Sequence, residues 1–138
     1  MIAYADSSVL LRFLFEQQPT LESIERFERL VTSTITVTEC LRAVDNVRLR
    51  GEIDPDEHDA RRRAVYERVR GLERVVVSPT VLDRAAAPFP APVATLDAIH
   101  LATALQWRER GRPDMVFATH DLRQAKVAEL LGFEVIGV

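Results

Sequence analysis

The chain has 138 residues, a formal net charge of −3 and 47% hydrophobic residues, the composition of one globular domain with an ordinary core. No apolar run approaches the roughly 20 residues of a membrane span, and the N-terminus lacks the pattern of a secretory signal. With Cys40 as the single cysteine, no internal disulfide can form. We therefore expect a cytoplasmic protein with one domain over 1–138, in which Cys40 is a small buried hydrophobe.

The basic residues are nearly all arginine. Lys126 is the only lysine among the 18 basic residues, and ten arginines lie between Arg42 and Arg84. Because guanidinium groups fork onto phosphates, this stretch is a candidate nucleic-acid face. The alternative is ordinary solvated helix faces in a chain that prefers arginine throughout, and the scarcity of lysine favours that alternative.

Short apolar strands alternate with amphipathic helices along the chain. The first half predicts a strand at 2–5, helices at 7–17 and 20–31, a short strand at 32–35 and a helix at 36–50 with Gly51 just past its end. The second half predicts a helix at 54–71, a strand at 73–78, a helix at 79–87, a proline-rich loop at 88–94, a helix at 95–111, a strand at 115–119, a helix at 121–132 and a strand at 133–138. This alternation is typical of an α/β domain whose short sheet of four to five strands is mainly parallel and flanked by helices.

Four acidic residues stand at strand ends and helix starts. Asp6 and Asp121 each follow a predicted strand, while Glu39 and Asp97 lie in the first turns of helices. Ligand sites in open parallel sheets lie beyond the carboxyl ends of the strands, so we expect these side chains to meet there.

Helix capping is the alternative explanation for each acid. Asp6 and Asp121 suit N-cap positions, Glu39 forms a capping-box pattern with Thr36, and Asp97 suits the positive end of a helix. Four separate caps need not converge, whereas a metal site must.

Clustered carboxylates repel one another unless a cation neutralises them. Mg²⁺ and Mn²⁺ prefer carboxylate and water oxygens, and such ions promote attack on phosphate esters. Rival chemistries lack their residues. Ser8 stands where an aspartyl phosphatase of the haloacid dehalogenase type needs a second Asp, and no phosphate-binding glycine loop is present.

The segments YADSSVLLRFL, TVTECLRAV, TLDAIHLATAL and FATHDLRQAKVAELLGFEVIGV resemble the signature segments of PIN-domain proteins, in particular VapC-type toxin ribonucleases. The resemblance spans essentially the whole chain, although the stretch from Glu52 to Pro92 matches only in length and helical character. The positions that match the family's site are the acids Asp6, Glu39, Asp97 and Asp121 and the hydroxyl residues Ser8 and Thr119.

This resemblance implies an endoribonuclease dependent on Mg²⁺ or Mn²⁺, a homodimer held inactive by a VapB-type antitoxin, and an RNA substrate of the transfer or ribosomal class. It implies that Asp6, Asp97 and Glu39 hold one metal ion, that Asp121 ligates it through water or completes a second site, and that Ser8 and Thr119 orient carboxylates or waters. Two alternatives remain open: a non-catalytic PIN-like module that binds RNA or regulates, and a metal-dependent phosphohydrolase of small substrates.

Two further features have both a functional and a structural interpretation. His100 lies one turn beyond Asp97 on the same helix face, so it either touches the site or is a packed histidine with one satisfied nitrogen. The apolar residues Phe13 to Phe15 either line a groove for a partner helix or are buried within the domain.

Overall fold

The computed structural model describes residues 1–18, 20–111 and 114–138. Within them, five strands form one parallel sheet in the order β3-β2-β1-β4-β5. The strands are β1 (Ile2–Ala5), β2 (Arg29–Ser33), β3 (Glu73–Val75), β4 (Val116–Ala118) and β5 (Val135–Ile136). The helices are α1 (Ser7–Leu14), α2 (Ile35–Leu49), α3 (Pro55–Val69), α4 (Pro79–Ala86), α5 (Thr95–Glu109) and α6 (Leu122–Leu130), with a 3₁₀ helix at Glu22–Arg26. The predicted α/β class is confirmed.

Side chains of the central strand β1 alternate between two cores, as the pleat of a strand requires. Ala3 and Ala5 face a core built with α1, α2 and α3, whereas Tyr4 faces a core built with α5 and α6. The sheet is therefore covered by helices on both faces, as parallel sheets are. None of the helices in the described ranges is long and apolar enough to cross a membrane.

The predicted helix at 20–31 is wrong. Only the 3₁₀ helix at Glu22–Arg26 forms there, and β2 takes the residues that follow. Leu30 and Val31 pair with Ala3 and Tyr4 and pack into opposite cores, as strand neighbours do. Pairing with β1 therefore overrides the helical spacing of the apolar residues.

The first helix ends earlier than predicted, at Leu14 instead of residue 17. Glu16 adopts a left-handed backbone with φ of 53°, and the Gln17 N–H donates to the Arg12 carbonyl at 2.9 Å. This is the geometry of a Schellman stop, which satisfies the last carbonyls of the helix.

Several arginines of the basic stretch have partners within the chain. The Arg68 guanidinium lies 4.2 Å from the centre of the Phe13 ring, and that of Arg61 lies 4.7 Å from the Phe15 ring. The charged pairs are Arg42 and Arg48 with Asp45, Arg50 with Glu52, and Arg84 with Glu109. These contacts favour the structural interpretation for those residues, and they place α3 against the apolar side chains of α1.

Candidate active site

Asp6 is the N-cap of α1 and is almost fully buried, with 3% of its surface exposed. One carboxylate oxygen accepts from the Ser8 hydroxyl at 2.5 Å and from the Ser8 backbone N–H at 3.1 Å. The other accepts from the Thr119 hydroxyl at 2.7 Å. Burial nevertheless raises the pKa of Asp6, because these hydrogen bonds do not fully replace the water that the carboxylate loses.

The sheet itself brings Asp6 and Thr119 together. Ala5 pairs with Ala118 in neighbouring parallel strands, so the residues that follow each strand emerge side by side. Asp121 then caps α6 by accepting from the Gln124 N–H at 3.1 Å. Its own N–H donates to the Thr119 hydroxyl at 3.0 Å, which links the ends of β1 and β4 in one network.

Asp97 lies half-buried in the first turn of α5. Burial raises the pKa of this carboxyl, and the negative charges of Asp121, Asp6 and Glu39 raise it further, while His100 opposes them. The charges of all three other predicted acids therefore contribute to the raised pKa of Asp97. Asp97 lies in the first turn of α5, so the alternative that it suits the positive end of the helix stays open, while the N-cap itself is Ala94, which makes no side-chain capping bond.

Glu39 projects from α2 and is held at both oxygens. Oε1 lies 2.6 Å from Nε2 of His100, and Oε2 accepts from the Ser7 hydroxyl at 3.1 Å. The predicted capping box with Thr36 is wrong, because α2 begins at Ile35. The Thr36 hydroxyl instead lies 2.7 Å from that of Thr32.

Two groups beside the acids were incompletely predicted from sequence. His100 is buried with both ring nitrogens bonded, since Nδ1 lies 2.7 Å from the hydroxyl of Tyr4. The interpretation of His100 as a packed histidine with one satisfied nitrogen is therefore wrong, and its contact with Glu39 favours the interpretation that it touches the site. Tyr4 was missed altogether, although the alternation of β1 already places it on the opposite face from Ala3 and Ala5.

We call the four carboxylates of Asp6, Glu39, Asp97 and Asp121 the acidic cluster. In the described residues, no three His, Cys, Asp or Glu side chains are placed as a ready ligand set for a metal ion. The carboxylates of Asp6, Glu39 and Asp121 instead contact hydrogen-bonding groups of the protein. Their oxygen chemistry and the accumulated negative charge at Asp97 fit a hard divalent cation, which would relieve the repulsion.

The family model described as "PIN domain" matches residues 3–130, which includes every member of the acidic cluster. The chain belongs to the PIN-domain family. A match of this extent leaves only short terminal segments outside it.

Known relatives resemble this PIN domain over nearly their whole length. Ribonuclease VapC46 of Mycobacterium tuberculosis is 31% identical over 138 residues, which cover 96% of this chain and 95% of that protein. A structure of VapBC-1 from nontypeable Haemophilus influenzae has a TM-score of 0.66 at 15% identity, with 99% of this chain and 97% of that chain covered. A toxin-antitoxin complex from Klebsiella pneumoniae has a TM-score of 0.65 at 16% identity and covers 88% of each chain. At these identities the two structures show a shared fold.

Proposed function

We propose that this PIN domain is an endoribonuclease dependent on Mg²⁺ or Mn²⁺, and that it acts as the toxin of a toxin–antitoxin pair. The observation that carries the proposal is the hydrogen-bond network around the acids. The Thr119 hydroxyl donates to Asp6 and accepts from the Asp121 N–H, and His100, one turn after Asp97 on α5, contacts Glu39. The raised pKa of Asp97, to which the charges of the other three acids contribute, supports it. In this proposal the four carboxylates, which come from separate elements, share one region beyond the carboxyl edge of the sheet. The full-length similarity to a protein named as a ribonuclease supports RNA as the substrate.

In this proposal Asp6, Asp97 and Glu39 hold the cation, and Asp121 ligates it through water or completes a second site. The bound cation would polarise a phosphoryl oxygen and lower the pKa of a water molecule. The chain's own hydroxyls have a separate task. The hydroxyls of Ser8 and Thr119 each donate to one oxygen of Asp6. These hydrogen bonds fix the orientation of the buried carboxylate and replace part of its lost hydration.

The remaining features of the proposal concern assembly and location. The structures named VapBC and toxin-antitoxin complex support a VapB-type antitoxin as partner. We further propose a homodimer, a cytoplasmic location, one domain over 1–138, and a transfer or ribosomal RNA as the substrate.

The test is incubation of the purified chain with total RNA, with Mg²⁺, with Mn²⁺ or with chelator, followed by mapping of new RNA ends. We expect specific cleavage that chelator abolishes. Asp6→Asn should lower cleavage by a factor of about 100 or more while the protein stays folded, because it removes one ligand charge. The matched control is Asp83→Asn, which changes an exposed acid on α4 and should leave cleavage unchanged.

Undiminished cleavage by Asp6→Asn would refute the acidic cluster as the catalytic site. RNA binding without cleavage under any metal condition would favour a regulatory PIN-like module. Hydrolysis of nucleotides or other small phosphate esters without RNA cleavage would favour a phosphohydrolase.

A further inference from the structure

A chain of buried polar groups connects the centre of the sheet to the acidic cluster. It runs from the Tyr4 hydroxyl through the two ring nitrogens of His100 to Glu39. We propose that His100, oriented by Tyr4, is a positioning residue that holds the Glu39 carboxylate for the divalent cation. This inference rests on the proposed function, since it assigns a role toward the same cation.

The first link is rigid because Tyr4 has no room to move. Tyr4 is fully buried, stacks on Phe117 with 5.3 Å between ring centres and meets His100 edge-on at 5.9 Å. A tyrosine hydroxyl is both a donor and an acceptor, so Tyr4 can donate its proton to His100 across their 2.7 Å contact.

The second link follows from which atoms can donate. An ionised carboxylate only accepts, so Nε2 of His100 must carry the proton in its 2.6 Å contact with Glu39. In the neutral ring Nδ1 is then an acceptor, and the Tyr4 hydroxyl 2.7 Å away supplies the matching donor. Each ring nitrogen of His100 thus has a partner of the right kind, which selects a single tautomer and ring orientation.

The last link fixes Glu39 without saturating it. One oxygen accepts from His100 and the other from the Ser7 hydroxyl at 3.1 Å. A carboxylate offers about four lone-pair sites, so both oxygens keep capacity for a cation. Since the side chain is ordered before binding, the cation does not have to order it, and its affinity rises accordingly.

A purely structural role for His100 predicts a loss of stability on its removal but no change in cation affinity of the folded protein. With 1% of its surface exposed, the ring also fills space between β1 and α5, so its removal is expected to lower stability in either case. Only the positioning role also predicts weaker binding of cation to protein that is still folded. The decisive readout is therefore Mn²⁺ affinity measured by calorimetry well below the melting temperature.

We would compare three variants at the network. His100→Leu removes both hydrogen bonds and should weaken Mn²⁺ binding by about 10- to 100-fold. His100→Gln keeps an N–H that can reach Glu39 and should recover most of that affinity. Tyr4→Phe keeps the ring packing but leaves Nδ1 without its donor, so it should produce an intermediate loss.

The chain offers matched controls for both residue types. His58→Leu and Tyr66→Phe change a half-buried histidine and an exposed tyrosine on α3, and neither residue contacts a member of the acidic cluster in the described structure. Both should leave Mn²⁺ affinity unchanged. If His100→Leu does not fold, Tyr4→Phe carries the test, because it alters a single buried oxygen.

The positioning role would be overturned if folded His100→Leu bound Mn²⁺ with unchanged affinity. If His100→Leu does not fold, unchanged Mn²⁺ affinity in folded Tyr4→Phe would overturn it. Equal losses in His100→Gln and His100→Leu would do the same. If wild type binds Mn²⁺ and cleaves RNA in those cases, the proposed function survives. A wild-type protein that neither binds Mn²⁺ nor cleaves RNA would overturn both.

Discussion

Asp97 shows how a single residue reports the chemistry of the whole site. Its carboxyl is half-buried, and three other acids lie near enough to raise its pKa. A folded-state pKa above the unfolded value means that the folded protein takes up a proton more readily than the unfolded chain does. The ionised carboxylate therefore destabilises the metal-free fold at neutral pH, and this penalty is lost as pH falls through the raised pKa.

We predict that Asp97→Asn raises the melting temperature by a few degrees at pH 7 in chelator, because it removes one repelling charge. The gain should shrink as pH falls toward about 4, where an ordinary aspartate is already half protonated. Thermal unfolding at several pH values would measure both effects. Adding Mg²⁺ should raise the melting temperature of wild type more than that of the variant.

Asp83→Asn is the control for this prediction, since that acid is exposed on α4 and away from the acidic cluster. It should leave the melting temperature nearly unchanged at every pH. A lower melting temperature for Asp97→Asn at neutral pH would show that hydrogen bonding or the helix dipole outweighs the repulsion.

At the scale of elements, the end of β5 packs closely against Thr119, whose hydroxyl donates to Asp6. The Thr119 N–H donates to the Ile136 carbonyl at 3.0 Å, directly before Gly137. Gly137 has φ of 103°, and a side-chain carbon there would overlap the Thr119 carbonyl oxygen. The end of β5 thus requires glycine for both its backbone conformation and its close approach.

We predict that Gly137→Ala lowers the free energy of unfolding by about 2–3 kcal/mol, from left-handed strain combined with overpacking. The same change should weaken RNA cleavage, because the Thr119 backbone must shift while its hydroxyl serves Asp6. Gly51→Ala is the matched control, with φ of 71° and open space around it, and should cost only about 1 kcal/mol. Urea denaturation would compare them, and equal losses would show that the close approach is unimportant.

Across the whole molecule, the order of the strands decides which part of the backbone is best protected. β1 lies between β2 and β4, whereas β3 and β5 form the edges of the sheet. The residues of β1 and β4 are nearly all buried, and those of β3 and β5 are half-buried or exposed.

We predict that amide hydrogens of β1 and β4 exchange with solvent more slowly than those of β3 and β5, because only larger openings expose the central strands. Hydrogen exchange followed by mass spectrometry resolves these segments. Exchange in β1 as fast as in β3 would contradict the strand order.

The site was predictable where local rules applied. Asp6 and Asp121 stand after apolar strands and before helices, so parallel topology alone brings them to one edge. The orientation of Glu39 was not predictable, because it depends on His100 and Ser7, which lie 61 and 32 positions away in the chain. Sequence spacing carries no information on which way a carboxylate turns at such distances.

The amino-acid sequence by itself determined the α/β alternation, most helix starts and the four candidate acids, since periodicity and capping are local properties. The tertiary structure alone decided that residues 29–33 form a strand, that β1 is central, and that Tyr4 joins His100 and Glu39. Those outcomes depend on pairing and packing between distant segments, whose energies exceed the local preference of any short stretch.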